Sequence, residues 1–319
     1  MRAWWSGVLA LMAALAAAAP VSAAWSPVLS HPAHYRVVEH VTLTNLGAGM
    51  ARDVTAEVIV SPPAQGYSRL TIRSITPRPV SRSRDVAGNT VARFVWGTLG
   101  PHRTATISIT YTAESWVVRD PVPKRSPPYS SASPLVRQYT NPRYEAQRVD
   151  TGNPVLRALD NRVAPRSLPP AAQARLFFTW IVKHIDYNYH LKAAGSALNV
   201  LRTRSGICTD FADLMVGMLR TRGIPARLIS GYVVNNGGDQ PGFHQWVEFW
   251  LPNEGWVVAD PTWGADGDFM ALHDDWHIAL SAGLSPDIRA TWSYANGALA
   301  KPRVTIAYHY TFTRLPAGG

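Results

Sequence analysis

Cysteine is almost absent: the 319 residues hold one, Cys208. One thiol excludes a disulfide framework within the chain and any zinc site built on several thiolates. Acidic residues are few, 21 Asp and Glu against 31 Lys and Arg, so the net charge is +10 with histidine neutral. The basic residues are scattered, and no block of five or six like charges occurs, so a nucleic-acid partner is not expected. The densest group, Arg69, Arg73, Arg78, Arg82 and Arg84, reads as a solvated strand face and loop. In an envelope compartment such a basic surface implies weak contact with anionic lipid or wall polymer. After the first two dozen residues no apolar run is long enough to span a bilayer.

The exception at the start has its own signature. Met1-Arg2, an Ala- and Leu-rich run, and Ala-Pro-Val-Ser-Ala-Ala before Trp25 read as a secretory signal peptide, residues 1–24, cut after Ala23 or Ala24. The expectation is an exported protein, periplasmic or secreted. No cysteine sits at the end of this segment, which argues against a lipoprotein.

What the chain has is ample apolar material, 46% of residues, and a length that suits two domains. From 25 to 116 the pattern has period two: "HVTLTN", "DVTAEVIV", "RFVW" and "TATISITY" alternate, with turn residues between them. Short strands at this spacing predict a β-sandwich, expected to fold alone. Residues 117–142, rich in Pro and Ser, read as a surface linker. The remainder, 143–319, is expected to form one catalytic domain. There the period changes to 3.6: Pro169-Pro170 opens a helix with the stripe Ala174, Phe177, Phe178, Ile181 and Ile185, and Ser196 caps a shorter one.

The lone cysteine opens another helix. Residues 208, 211, 212, 215, 218 and 219 share a stripe, and Gly223-Ile224-Pro225 stops it. A thiol in a first helical turn lies at the positive end of the helix dipole, which favours thiolate. A nucleophile needs a base, and the base an orienting partner. "FHQWVEFWLPNEGWVVADPTWG", 243–264, reads as a hairpin whose first strand opens with His244 and whose second closes with Asp260. A turn centred on Pro252 puts the two directly opposite on one face; a turn centred on Asn253 and Glu254 slips them by about three positions. In this arrangement His244 pairs with the Cys208 thiolate, Asp260 orients the imidazole, and the Cys208 backbone N–H helps hold the oxyanion.

Four blocks in order, "R-x-G-I-C-x-D-F-A-x-L" (204–214), "R-x-R-G-I-P-A-R-L-I-S-G-Y" (220–232), "H-Q-W-V-E-F" (244–249) and "G-W-V-V-A-D-P-T" (255–262), resemble the transglutaminase-like superfamily. The resemblance covers about 150–280 and implies an α+β fold: a papain-like core, its cysteine helix packed on an antiparallel sheet carrying His and Asp, here after the N-terminal β-sandwich. It implies Cys208 as nucleophile, His244 as general base and Asp260 as orienter, with no cofactor. Two departures stand out. Gln245 follows the histidine where the family usually has Ala, and "HIALSAGLSPDI" (277–288) stands where a Gly-Arg-Asp motif is common. Asp210, at a recurrent acidic position, is read as favouring the helix N-terminus. Papain itself is excluded, because its histidine lies well over 100 residues beyond its cysteine, whereas here 244 − 208 = 36.

Other groupings read as less informative. "HDDWH" (273–277) brings His273, Asp274, Asp275 and His277 together without helical metal-ligand spacing, so it is taken as a solvated loop and no metal is expected. Of the tryptophans around the hairpin, Trp246 and Trp263 are the candidates for walling a substrate groove. The Gly-rich stretch "NNGGDQPGF" (235–243) suggests an open cleft. The expected function is a cysteine-dependent peptidase or amidase, acting on a protein or peptide of the cell envelope through a thioester. The alternatives are a cross-linking protein-glutamine acyltransferase, a cell-wall peptidase of a family that also places Cys before His, and a non-catalytic envelope module.

Overall fold

The computed structural model describes residues 27–123, 125–234, 241–283 and 288–316. The expected signal peptide and most of the Gly-rich stretch, 235–240, lie outside the described residues.

The period-two half folds as expected of it. In the strand Val28–Asn45 every odd residue from Ala33 to Asn45 is buried, and in Thr104–Arg119 every odd residue from Ala105 to Ser115. The two pair antiparallel, with Val37 opposite Tyr111 and Val41 opposite Ile107, so both present one apolar face. The facing sheet, built on Ala51–Ser61 and Thr90–Leu99, adds Val54, Val58 and Phe94 to the same core. One acid is buried there, Glu39, which accepts the Tyr111 hydroxyl at 2.7 Å.

The sandwich is not closed by its own half of the sequence. Ile288–Ser293 pairs with Ala51–Ser61, and Val304–Arg314 pairs with Val28–Asn45. Both are edge positions, and an unpaired edge would leave a row of backbone donors and acceptors open. A catalytic domain running to residue 319 is therefore corrected: the last two strands belong to the sandwich. Their period-two run, Val304, Ile306, Tyr308, Tyr310 and Phe312, was a legible sign of this. The linker is corrected too. Val117 to Arg119 continue a sandwich strand, and Pro134–Tyr139 is a short helix.

The other half is α+β. The helix Pro170–His184 buries Ala174, Phe177, Phe178 and Ile181 on the expected stripe, and Ser196 caps Ala197–Thr203 through the Asn199 N–H. The cysteine helix, Cys208–Thr221, packs on a four-stranded sheet ordered Gly255–Ala259, Gly242–Leu251, Ala226–Val233, His277–Ala282. Phe211, Leu214, Met215, Met218 and Leu219 meet Leu228, Val247, Phe249 and Val257 in that core.

A third cluster joins the halves: Tyr67, Ala87, Val118 and Leu272 pack with Ile229, Trp246, Val258 and Ala279. Polar contacts follow the apolar ones. The free edge of His277–Ala282 is closed by sandwich side chains: Ser115 Oγ donates to the His277 carbonyl (2.9 Å), Ala279 N–H donates to Ser68 Oγ (3.2 Å), and the Asn89 carboxamide bonds both N–H and C=O of Ala282 (2.8 Å each). A buried backbone group left unpaired costs about 1–3 kcal/mol, so four such bonds weigh heavily against separating the halves. A sandwich that folds alone does not fit this interface.

Candidate active site

The cysteine helix begins where it does because of Asp210. Its carboxylate accepts the Ile207 N–H (2.9 Å) and the Ala194 N–H (2.6 Å), closing the first turn and tying the preceding loop to it. Gly206 is required beside it, since a Cβ there would lie 2.6 Å from the Asp210 Cβ. Cys208 is thus the first helical residue, and it is 6% exposed.

The hairpin register lies between the two geometries read from the sequence. Leu251 pairs with Gly255 and Val247 with Ala259, so the turn is centred on Asn253 alone. Asn253 and Gly255 both take positive φ, 76° and 88°, which suits Asn and Gly. His244 and Asp260 are therefore offset by two positions rather than opposed. A two-residue offset preserves the face of a strand, and the side chains meet: His244 Nε2 lies 2.6 Å from Asp260 Oδ2. On the next strand Gly231 stands opposite His244, where a Cβ would lie 2.0 Å from the Ile278 carbonyl oxygen.

With Nε2 on Asp260, the other imidazole nitrogen is left for the Cys208 thiol, whose charged form His244 stabilises. Burial pushes that thiol up, but the bond and charge of His244 and the Gln245 backbone N–H outweigh it and hold it below its ordinary value. Gln245 thus acts through its backbone, while its side chain donates to Ser230 Oγ at 3.0 Å. Burial lowers the His244 pKa, yet Asp260 dominates and raises it to about 10. Asp260, fully buried, is held well below the usual carboxylate range: desolvation opposes its charge, and His244 and His277 overcome it. Its second oxygen accepts the Thr262 N–H at 2.8 Å.

Two tryptophans flank the imidazole. Trp263 stacks on His244 with centroids 5.4 Å apart and 27° between planes; Trp246 does so at 6.0 Å and 23°. Trp246 is fully buried and its Nε1–H donates to the Tyr67 hydroxyl at 2.7 Å. That corrects its expected place on a groove wall, because no substrate reaches it; it supports His244 from beneath. Trp263 is partly exposed.

The reading of 273–277 as a solvated loop is also corrected. His277 is fully buried at the start of a strand, with Nε2 3.3 Å from Asp260 Oδ2 and Nδ1 2.8 Å from Asp274 Oδ1. The sign was the run after it: His-Ile-Ala-Leu-Ser-Ala is a short apolar stretch, all six residues buried. His244, Asp260 and His277 bring three ligand-type atoms within 4.8 Å of one another. Both histidines already hydrogen-bond Asp260 Oδ2, and an ion would have to displace the 2.6 Å bond of the His244–Asp260 pair.

Residues 157–261 match the Transglutaminase-like superfamily, and that stretch holds Cys208, His244 and Asp260. This core belongs to that superfamily. A protein-glutamine gamma-glutamyltransferase of Pseudomonas aeruginosa is 31% identical over 174 residues, 46% of this chain and 26% of that protein. An uncharacterised protein of Mycobacterium tuberculosis is 29% identical over 220 residues, 59% of this chain and 66% of its own length. The chain thus spans about a quarter of the first relative and just under two thirds of the second. A solved structure from Cytophaga hutchinsonii, described as a candidate cysteine protease, superposes with a TM-score of 0.61 at 16% identity, covering 92% of this chain and 94% of that one. That likeness is one of fold alone, and it extends over both halves of this chain. Among the described residues no helix is long and apolar enough to cross a membrane.

Proposed function

We propose that this protein is a cysteine-dependent acyl-group enzyme acting on amide bonds of peptides or glutamine side chains in the cell envelope. The observation that carries the reading is the buried group itself: a helix-initial thiol held below its ordinary pKa by His244, whose Nε2 lies 2.6 Å from Asp260. Cys208 thiolate attacks the amide carbonyl, the His244 imidazolium gives its proton to the departing amine or ammonia, and a thioester remains on Cys208. Water, deprotonated by His244, then releases a free acid. Asp260 stays charged throughout and holds the imidazole so that its proton faces the reacting atoms.

Hydrolysis is the first reading, and the protein is then a peptidase or amidase. Transfer of the acyl group to a primary amine is the second. It is favoured by the transferase named among the relatives and by a thiol only 6% exposed, which limits access of water. If residues 1–24 direct export as their pattern suggests, either activity acts outside the cytoplasm. The deciding measurement offers a peptide amide with and without millimolar primary amine and follows product masses. Free acid supports the hydrolase; dominant amine adducts make it a cross-linking enzyme. No product, with Cys208 unmodified, leaves the non-catalytic reading standing.

A further inference from the structure

His277 is buried, titratable and unused by the relay above, and it lies beyond the residues that match the superfamily. Its two ring nitrogens face two carboxylates, Asp260 at 3.3 Å and Asp274 at 2.8 Å. A neutral imidazole has one donor and one acceptor, and an acceptor nitrogen against a buried carboxylate is repulsive. Only the doubly protonated ring satisfies both. Asp274 Oδ1 is fixed in turn by the Trp276 N–H at 2.8 Å, and the His277 carbonyl by Ser115 of the sandwich. The ring also meets Trp263 and Trp246 edge-on, with centroids 5.0 and 5.1 Å away, and His244 at 5.6 Å.

We propose that His277 is a positioning residue of this site, a buried imidazolium that pins the Asp260 carboxylate toward His244 and offsets part of the charge this carboxylate presents to it. The inference rests on the relay proposed above. In a three-membered relay the whole aspartate charge falls on one imidazole and holds its proton tightly. Here the same oxygen, Oδ2, serves two rings. His244 is thereby left better able to release its proton to a leaving group. The titratable groups facing His277 are Asp260, Asp274, Asp268 and His244. Burial works against its charge, and Asp274 with Asp260 outweighs it, raising its pKa to about 9.

The test separates charge from shape. The rate of Cys208 alkylation by iodoacetamide is measured against pH in the full chain, with turnover of p-nitrophenyl acetate as the acyl probe. His277→Gln keeps a donor toward Asp260 and removes the charge. Both limbs of the alkylation profile should then move upward by about one pH unit, the order expected for losing a unit charge a few ångströms away. His277→Phe removes the donor as well, and turnover should fall a further tenfold or so below the Gln variant. Asp274→Asn, at the rim of the site, should move the limbs in the same direction by less, and serves if the His277 variants do not fold. Limbs unmoved in His277→Gln and Asp274→Asn, with only a lower melting temperature, overturn the proposal and make His277 a structural residue. His244→Ala distinguishes this from failure of the relay. If that variant alkylates as the parent does, the relay is wrong and the inference falls with it; if it loses the low-pH limb while His277→Gln shifts nothing, the inference alone fails.

Discussion

Asp260→Asn probes the site with little change of shape. The carboxylate accepts on both oxygens: Oδ2 faces His244 Nε2 and His277 Nε2, and Oδ1 faces the Thr262 N–H. A carboxamide has one acceptor and one donor group, so one side must fail. If its NH₂ faces Thr262, two donors meet in a fully buried site. If it faces the rings, His244 must carry its proton on the nitrogen beside Cys208 and can no longer accept the thiol proton. Charged hydrogen bonds contribute about 1.5–3 kcal/mol each, and breaking a buried pair costs about 3–5 kcal/mol. The expected loss of stability is about 3–4 kcal/mol, a melting temperature lower by roughly 6–12 °C. Turnover should fall a thousandfold or more, about 4 kcal/mol of barrier. The pH dependence follows from the signs. Asp260 is depressed, so its contribution is present above an unfolded value of about 4 and is lost as acid protonates it. His244 is raised to about 10, so its contribution is full below about 6.5 and is lost as pH rises toward 10. The parent should therefore be most stable from about pH 4 to 6.5 with respect to this pair, declining above, and the Asn variant should have a flatter profile. The assays are thermal melts across pH and iodoacetamide alkylation. An Asn variant with the parent's melting curve and alkylation profile would refute the reasoning.

His244→Ala should move the alkylation of Cys208 up toward or beyond the free-thiol value of about 8.5, because burial is then opposed only by the weaker Gln245 and Thr209 hydrogen bonds. Cys208→Ala should abolish product formation while shifting stability by about 1 kcal/mol or less, since a small apolar residue replaces a small buried thiol. Gly231→Ala forces a Cβ to within 2.0 Å of the Ile278 carbonyl oxygen, and should cost about 1–3 kcal/mol and reduce turnover by displacing His244 or His277. Ending the chain before Ile288 removes both closing strands of the sandwich; the truncated protein should aggregate, and a soluble, cooperatively melting fragment would show that the sandwich does not need them.

Much of the site was legible because its signals are local. A lone cysteine before a helical stripe, an acid three positions into the turn, and a Pro-Asn-Glu-Gly turn between two strands are set by backbone geometry within about ten residues. Those patterns, with four ordered blocks, sufficed to nominate Cys208, His244 and Asp260 as candidates and to read the transglutaminase-like core. Their meeting was not fixed locally, since the register depended on whether the turn centred on Pro252, Asn253 or beyond. What the tertiary structure alone decided comes from contacts between distant segments. The last two strands return across more than 200 residues to close the sandwich, because open sheet edges favour pairing wherever a matching strand is available. Trp246 is buried because Tyr67, 179 residues earlier, covers it. His277 looked like part of a polar loop and is a buried cation, because only the folded sheet places Asp260 and Asp274 on its two nitrogens. Period and spacing report which face a residue takes, whereas a buried charge depends on which partners the fold brings to it.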